Sequence, residues 1–147
     1  MDASADSLPV RHLFTLDGKV DDPAPQVVAG PLGVRVIVAV GAGTFTGERL
    51  NGTVAVGSGG DFAVFRPDGS LRLDVRLTLV TDDDVRIYIT YNGVGTPVGD
   101  GTLSLRTAPT FEAPDGPYGW LNTVQAIGIG ASNPMTGTLH YDVFEVL

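Results

Sequence analysis

The sequence predicts an all-β chain, folded as a small antiparallel barrel of about eight to ten strands with no long helix. Three observations lead there. Turn-forming pairs punctuate the chain at Asp17-Gly18, Asp22-Pro23, Gly30-Pro31, Asn51-Gly52, Gly59-Gly60, Asp68-Gly69, Asn92-Gly93, Asp100-Gly101, Gly116-Pro117 and Asn133-Pro134. Runs rich in Val, Ile, Leu, Thr, Tyr and Phe lie between them. No stretch sustains a helical period between caps.

The runs predict strands in order at Leu8–Leu16, Val34–Val40, Leu50–Val56, Asp61–Phe65, Leu71–Val80, Val85–Tyr91, Thr102–Thr107, Leu121–Ile129 and Thr136–Val146. Alternation is clearest in the middle of the chain. Leu71, Leu73, Val75, Leu77 and Leu79 oppose Arg72, Asp74, Arg76 and Thr78. Val85, Ile87, Ile89 and Tyr91 oppose Arg86, Tyr88 and Thr90, and Leu103 and Leu105 oppose Ser104 and Arg106. Short connections make these three strands neighbours in a meander.

With 147 residues the chain fits one domain, spanning 1–147. The sequence holds no cysteine, so disulfides and thiolate chemistry are excluded. A net charge of -8 argues against nucleic acid and anionic membranes as partners. Met1–Asp6 has neither the basic nor the apolar region of a secretion signal, and Val34–Val40 is too short to span a bilayer. A cytoplasmic location is expected, and Asn51-Gly52-Thr53 then reads as a turn and not as a glycosylation site. The acidic stretch Asp21–Pro25 reads as a loop.

Few motifs carry chemistry. Gly41-Ala42-Gly43-Thr44-Phe45-Thr46-Gly47 has spaced glycines after a strand, but no helix follows to bind a pyrophosphate, so a Gly-rich bend is expected. Asp82-Asp83-Asp84 lacks the spacing of a calcium loop and reads as a solvated hairpin tip. His12 and His140 lack zinc-site spacing; His140 and Asp142 alternate on one strand and read as a hydrogen-bonded surface pair. No metal and no cofactor are expected. Nothing resembles a nucleophile elbow, so any catalysis falls to carboxylates, tyrosines or a histidine, groups suited to proton transfer.

Asp74, Arg76, Tyr88 and Arg106 gather on the meander's polar face. Such a face either looks out to water, as in most antiparallel sheets, or turns inward as a fully hydrogen-bonded network around a ligand.

One stretch is not periodic. Arg106-Thr107-Ala108-Pro109-Thr110-Phe111-Glu112, followed by Tyr118-Gly119-Trp120-Leu121-Asn122, resembles the DUF3237 family, also called UPF0311. Gly43–Gly47, Gly59-Gly60-Asp61-Phe62, Asp74-Val75-Arg76, Asp84–Ile89 and Tyr141–Val146 are similar to its other segments, from about Pro9 to Val146. Val85 stands where the family often has Gly, and Ala113 where it usually has Thr. The resemblance implies a compact barrel, lipocalin-like or allene-oxide-cyclase-like in general shape, with a small-molecule pocket and no settled activity. Its recurrent residues fall at Asp61, Arg76, Tyr88, Arg106, Phe111, Trp120 and Asn122, which favours the inward reading of the polar face.

The function expected from both lines is a cofactor-independent isomerase, cyclase or lyase acting on a mostly apolar small molecule, polyketide- or terpenoid-like, inside the barrel. Asp61 or Asp74 would act as acid or base, Tyr88 would exchange a proton, and Arg76 with Arg106 would stabilise an oxyanion. Phe111, Trp120 and Asn122 would bind the ligand. The alternatives are a noncatalytic carrier barrel and a structural or oligomeric module. An inward polar face leaves Val85, Ile87 and Ile89 outside, so a homodimer is expected to cover them.

Overall fold

Eight strands close a ring, and four more extend it. In the computed structural model, which describes residues 7–20 and 22–147, the strands are β1 (Val10–Lys19), β2 (Gln26–Gly30), β3 (Gly33–Ala39), β4 (Gly43–Thr46), β5 (Asn51–Val54), β6 (Gly60–Phe65), β7 (Leu71–Thr81), β8 (Arg86–Pro97), β9 (Leu103–Thr107), β10 (Thr110–Glu112), β11 (Ala126–Asn133) and β12 (Thr138–Val146). The reading of Met1–Asp6 and the first residue of the Asp21–Pro25 loop lie outside the described residues. From β7 the ladder runs through β8, β9, β11, β12, β1, β4 and β5 back to β7, antiparallel at every pairing. Among the described residues the single helical element is a 3-10 turn, Gly119–Thr123, and no helix is long and apolar enough to cross a membrane.

The ring is tight at one end and splayed at the other. One edge of β7 is shared: β5 pairs with its last residues, Leu79–Thr81, and β6 with its earlier ones, Leu71–Arg76. β3 then pairs with β6 and β2 with β3, so a three-strand flap leaves the ring where β7 begins. Residues 40–42 form the bend between β3 and β4, as the glycine spacing predicts.

At the tight end Phe14, Phe45, Leu50, Leu79, Ile87 and Leu121 are fully buried. The ring of Phe14 meets those of Phe45 and Phe111 edge-on, with centroids 5.7 and 6.2 Å away. Burying each such side chain contributes about 1.5–3 kcal/mol. A register shift between His12 and Phe14 lets Leu13 and Phe14 both turn inward, which simple alternation forbids.

Several sequence expectations need correction. Asp17-Gly18, Asn51-Gly52 and Asn92-Gly93 are strand interior, not turns. Gly93 lies between Leu73 and Thr107 on its two neighbouring strands, where a Cβ would sit 2.5 Å from the Arg106 carbonyl oxygen. Close approach between backbones, not turn chemistry, requires that glycine. The strand expected at Leu121–Ile129 starts only at Ala126, because the 3-10 turn occupies its first residues. β2, β4 and β10 were not expected as separate strands.

Candidate functional site

The side chains that reach the barrel interior follow from the β7 alternation. Leu71, Leu73, Val75, Leu77 and Leu79 are buried, whereas Arg72 and Arg76 are exposed. The apolar face therefore lines the inside. Five aliphatic side chains gain by leaving water, while Arg, Asp and Tyr in their place would each need a buried partner.

This corrects the inward reading of the polar face. Arg76, Tyr88 and Arg106 are exposed, and Asp74 lies with Arg76 in a shallow outer groove. Arg106 donates to the Ser104 hydroxyl and to the Leu105 carbonyl. Ile87 and Ile89 are buried inside the barrel and do not require a second subunit to cover them.

The proposed ligand contacts belong to the opposite end. Phe111 is buried beside Phe14. The Trp120 ring carries the Arg49 guanidinium 3.5 Å from its centroid and donates its Nε1–H to the Pro117 carbonyl. Asn122 grips the Ala113 backbone twice, accepting its N–H at 2.7 Å and donating to its C=O at 2.9 Å. Together with the 3-10 turn these residues cap the tight end.

The splayed end holds a cavity of about 380 Å³. Its wall is mainly aliphatic, from Leu71, Leu73 and Val75 of β7, Val36 and Val38 of β3 and Leu105 of β9. Lys19 and Asp22 stand at its rim, where Asp22 ties the incoming loop to β3 by accepting the N–H groups of Ala24 and Ala39. Among the described residues three titratable side chains stand within the wall, Asp61, Tyr91 and Tyr141.

Asp61, Val75 and Tyr91 occupy one rung across β6, β7 and β8. Two strand spacings place the Cα atoms of Asp61 and Tyr91 about 10 Å apart, with Val75 as the floor between them. Burial pushes the Asp61 carboxyl up to about 6, against the opposing effect of the hydrogen bond it accepts from the Asp74 N–H, and the nearby Asp74 charge raises it further.

Tyr141 reaches Tyr91 from across the barrel, with ring centroids 5.6 Å apart and planes at 70°. The two phenols lie close enough to influence each other's ionisation. Burial raises the pKa of both phenols, so both stay protonated at neutral pH. Gly130, opposite Tyr141, makes room for that ring: a Cβ there would lie 2.5 Å from Tyr141 Cδ1.

Of the residues singled out from sequence, Asp61 alone lines this cavity. Tyr91 and Tyr141 escaped notice as site residues, although Tyr91 shares its side of the strand with Ile87 and Ile89. That parity was the available signal.

A family model described as a protein of unknown function, DUF3237, matches residues 8–146. The chain belongs to the DUF3237 family. This DUF3237 chain is 28% identical over 154 residues to a UPF0311 protein of Rhodopseudomonas palustris, covering 96% of this chain and 98% of that one. A "beta-barrel like protein" of Acinetobacter baumannii superposes with a TM-score of 0.82 at 21% identity, covering 98% of this chain and 100% of that one. A Penicillium herquei protein described as an enzyme superposes with a TM-score of 0.67 at 18% identity, each chain covered completely at 100%. These likenesses show the barrel fold.

The DUF3237 chain carries a second polar group on the outer face of β1 and β12. His140 Nδ1 lies 2.6 Å from Asp17 Oδ1, and its Nε2 lies 3.3 Å from Asp142 Oδ2. Asp142 also accepts the Thr15 hydroxyl, which in turn meets His12 Nε2. Among the described residues no three His, Asp or Glu side chains are placed to hold a metal ion.

Proposed function

We propose that this protein is a cofactor-independent acid–base enzyme, an isomerase, cyclase or lyase, acting on a small and mostly apolar molecule held in the splayed end of the barrel. One observation carries the reading: a carboxyl with its pKa lifted to about 6 stands in a mainly aliphatic cavity, beside two neutral phenols. A proton acceptor works best when its pKa lies near the working pH, and burial tunes Asp61 toward that range. A cavity of about 380 Å³ falls within the size range of small-molecule sites. The Penicillium herquei neighbour, described as an enzyme, means that a catalyst uses this fold.

A carrier is the second reading, favoured by the aliphatic wall. The two separate by experiment. Purified protein and its Asp61→Asn variant are incubated with a cellular metabolite extract, and both the bound and the converted compounds are identified by mass spectrometry. An enzyme depletes a compound that Asp61→Asn binds but leaves intact. A compound bound and returned unchanged by both proteins supports the carrier and overturns the enzyme.

A further inference from the structure

We propose that the cavity takes compact apolar carbonyl compounds and moves a proton on the carbon beside the carbonyl, with Asp61 as proton acceptor, Tyr91 as donor to the carbonyl oxygen and Tyr141 as the positioning residue behind Tyr91. This deepens the acid–base reading above and rests on it.

The geometry supplies both halves of such a step. Asp61 and Tyr91 point into the cavity from one rung, with Val75 between them on the strand that joins them. A gap of about two strand spacings leaves room for a ligand lying over Val75, with a carboxylate at one side and a phenol at the other. The Tyr141 ring packs edge-on against Tyr91 and fixes its orientation, and a phenol O–H can donate to a ligand oxygen.

The rest of the wall selects the substrate. Nothing charged faces Asp61 from β3, which presents Val38 opposite it. From β7 the Asp74 backbone N–H reaches it, from β8 comes Tyr91, from β12 Tyr141, and Lys19 and Asp22 stay at the rim. A ligand with several hydroxyl or charged groups would leave them unpaired against Leu and Val, whereas a ketone needs one donor only. The cavity lies near the small end of the usual range, which suits one or two rings.

In the step, Asp61 takes the proton from the α-carbon. The electron pair of that C–H bond becomes the new C=C bond, and the carbonyl π-pair moves to oxygen. The developing oxyanion accepts the hydrogen bond of Tyr91, in an apolar site where such a bond is strongest. In a ketone with a β,γ double bond, the oxyanion pair re-forms the C=O, the new C=C becomes the α,β double bond, and the old β,γ π-pair takes the proton back from Asp61 at the γ-carbon, which completes an isomerisation with no net loss of protons or electrons.

Two probes test this, 2-naphthol as a mimic of the bound enol and 2-tetralone as a ketone of the same skeleton. An ionised Asp61 opposes an apolar neighbour, and a neutral one matches the state after proton transfer. Wild-type protein should therefore bind 2-naphthol about tenfold more tightly near about pH 5 than near about pH 8, as expected when a carboxyl must be protonated. At the higher pH, Asp61→Asn should bind about tenfold more tightly than wild type, and Tyr91→Phe about tenfold more weakly than wild type at the lower pH. Tyr141→Phe should weaken binding less than Tyr91→Phe and leave the pH dependence in place. In D₂O, wild type should speed deuterium entry into 2-tetralone, and Asp61→Asn should not.

Binding indifferent to pH, to Asp61 and to Tyr91, or exchange undiminished in Asp61→Asn, overturns the proposal. If the extract assay still yields Asp61-dependent turnover, the acid–base reading stands and only the carbonyl assignment falls. If that turnover is absent too, both fall.

Discussion

The Asp61 carboxylate accepts the backbone N–H of Asp74 at 3.0 Å, at a point where the β6–β7 ladder skips the rungs of Phe62 and Ala63. The side chain thus stands in for a backbone acceptor. That bond favours the ionised form, yet burial dominates and the pKa rises from 3.8 to about 6. The folded state therefore holds a proton between about pH 4 and 6 that the unfolded chain gives up, so stability falls as pH rises through this window, and the cost is complete above it.

Asp61→Asn keeps the acceptor for Asp74 and removes the charge. It should stabilise the fold by about 1–3 kcal/mol at about pH 7.5 and by almost nothing near about pH 3.5, where the wild-type carboxyl is neutral in the folded state and mostly neutral in the unfolded one. Urea unfolding at the two pH values measures this. An equal gain at both would show that the charge is not the cause.

Gly130→Ala should act on Tyr141. The new methyl would meet Tyr141 Cδ1 at 2.5 Å and the His140 carbonyl oxygen at 2.3 Å, and the second of these is backbone that cannot swing aside. Overpacking of this kind costs about 1–3 kcal/mol. The ring must then leave Tyr91, so near-ultraviolet circular dichroism of the tyrosines should change along with the urea midpoint. A variant with wild-type stability and an unaltered spectrum would contradict the packing described.

The alternation that predicted the barrel also held the site, in part. Period two places Leu71 through Leu79 on one face and Arg72 through Thr78 on the other, and β7 follows it residue by residue. Alternation does not say which face the sheet curls around, and the family resemblance drew attention to Arg76, Tyr88 and Arg106, which face water. Burial energetics decide for the aliphatic face. With that choice made, Asp61 and Tyr91 follow from parity and register. Tyr141 does not, because its contact with Tyr91 joins strands that are not neighbours in the sheet. The β1 register shift and the two levels of pairing along β7 likewise depend on ring closure, which no local run of residues encodes.

The cap at the tight end should be separable from the cavity. Asn122→Ala removes both hydrogen bonds to Ala113 and should destabilise the fold by about 1–3 kcal/mol. It should leave 2-naphthol binding unchanged, since Asn122 does not line the cavity. The sequence has one tryptophan, Trp120, so intrinsic fluorescence reports the cap alone. Arg49→Ala should shift that emission while the cavity keeps its affinity. Loss of 2-naphthol binding in Asn122→Ala protein that remains folded would return Asn122 to the ligand site.

His140 should titrate above its ordinary 6.5, because Asp17 holds its charged form by hydrogen bond and Asp142 adds to the effect from the other ring nitrogen, against a smaller contrary effect of burial. A histidine whose folded pKa is raised contributes stability that is fully present below its unfolded pKa and lost as pH rises through the folded one. The sign is thus the same as for Asp61, but the size is not. The His140 and Asp17 side chains are 49% and 65% exposed, so water and salt screen the pair and the effect on stability stays small. Proton NMR of the His140 ring resolves it directly: Asp17→Asn should lower the His140 pKa more than Asp142→Asn does, and added salt should lower it in the wild type. His12 lies on the same face and acts on Asp142, so His12→Gln serves to assign the His140 ring signals. A wild-type His140 titrating at or below 6.5 would mean that the Asp17 hydrogen bond does not persist in solution.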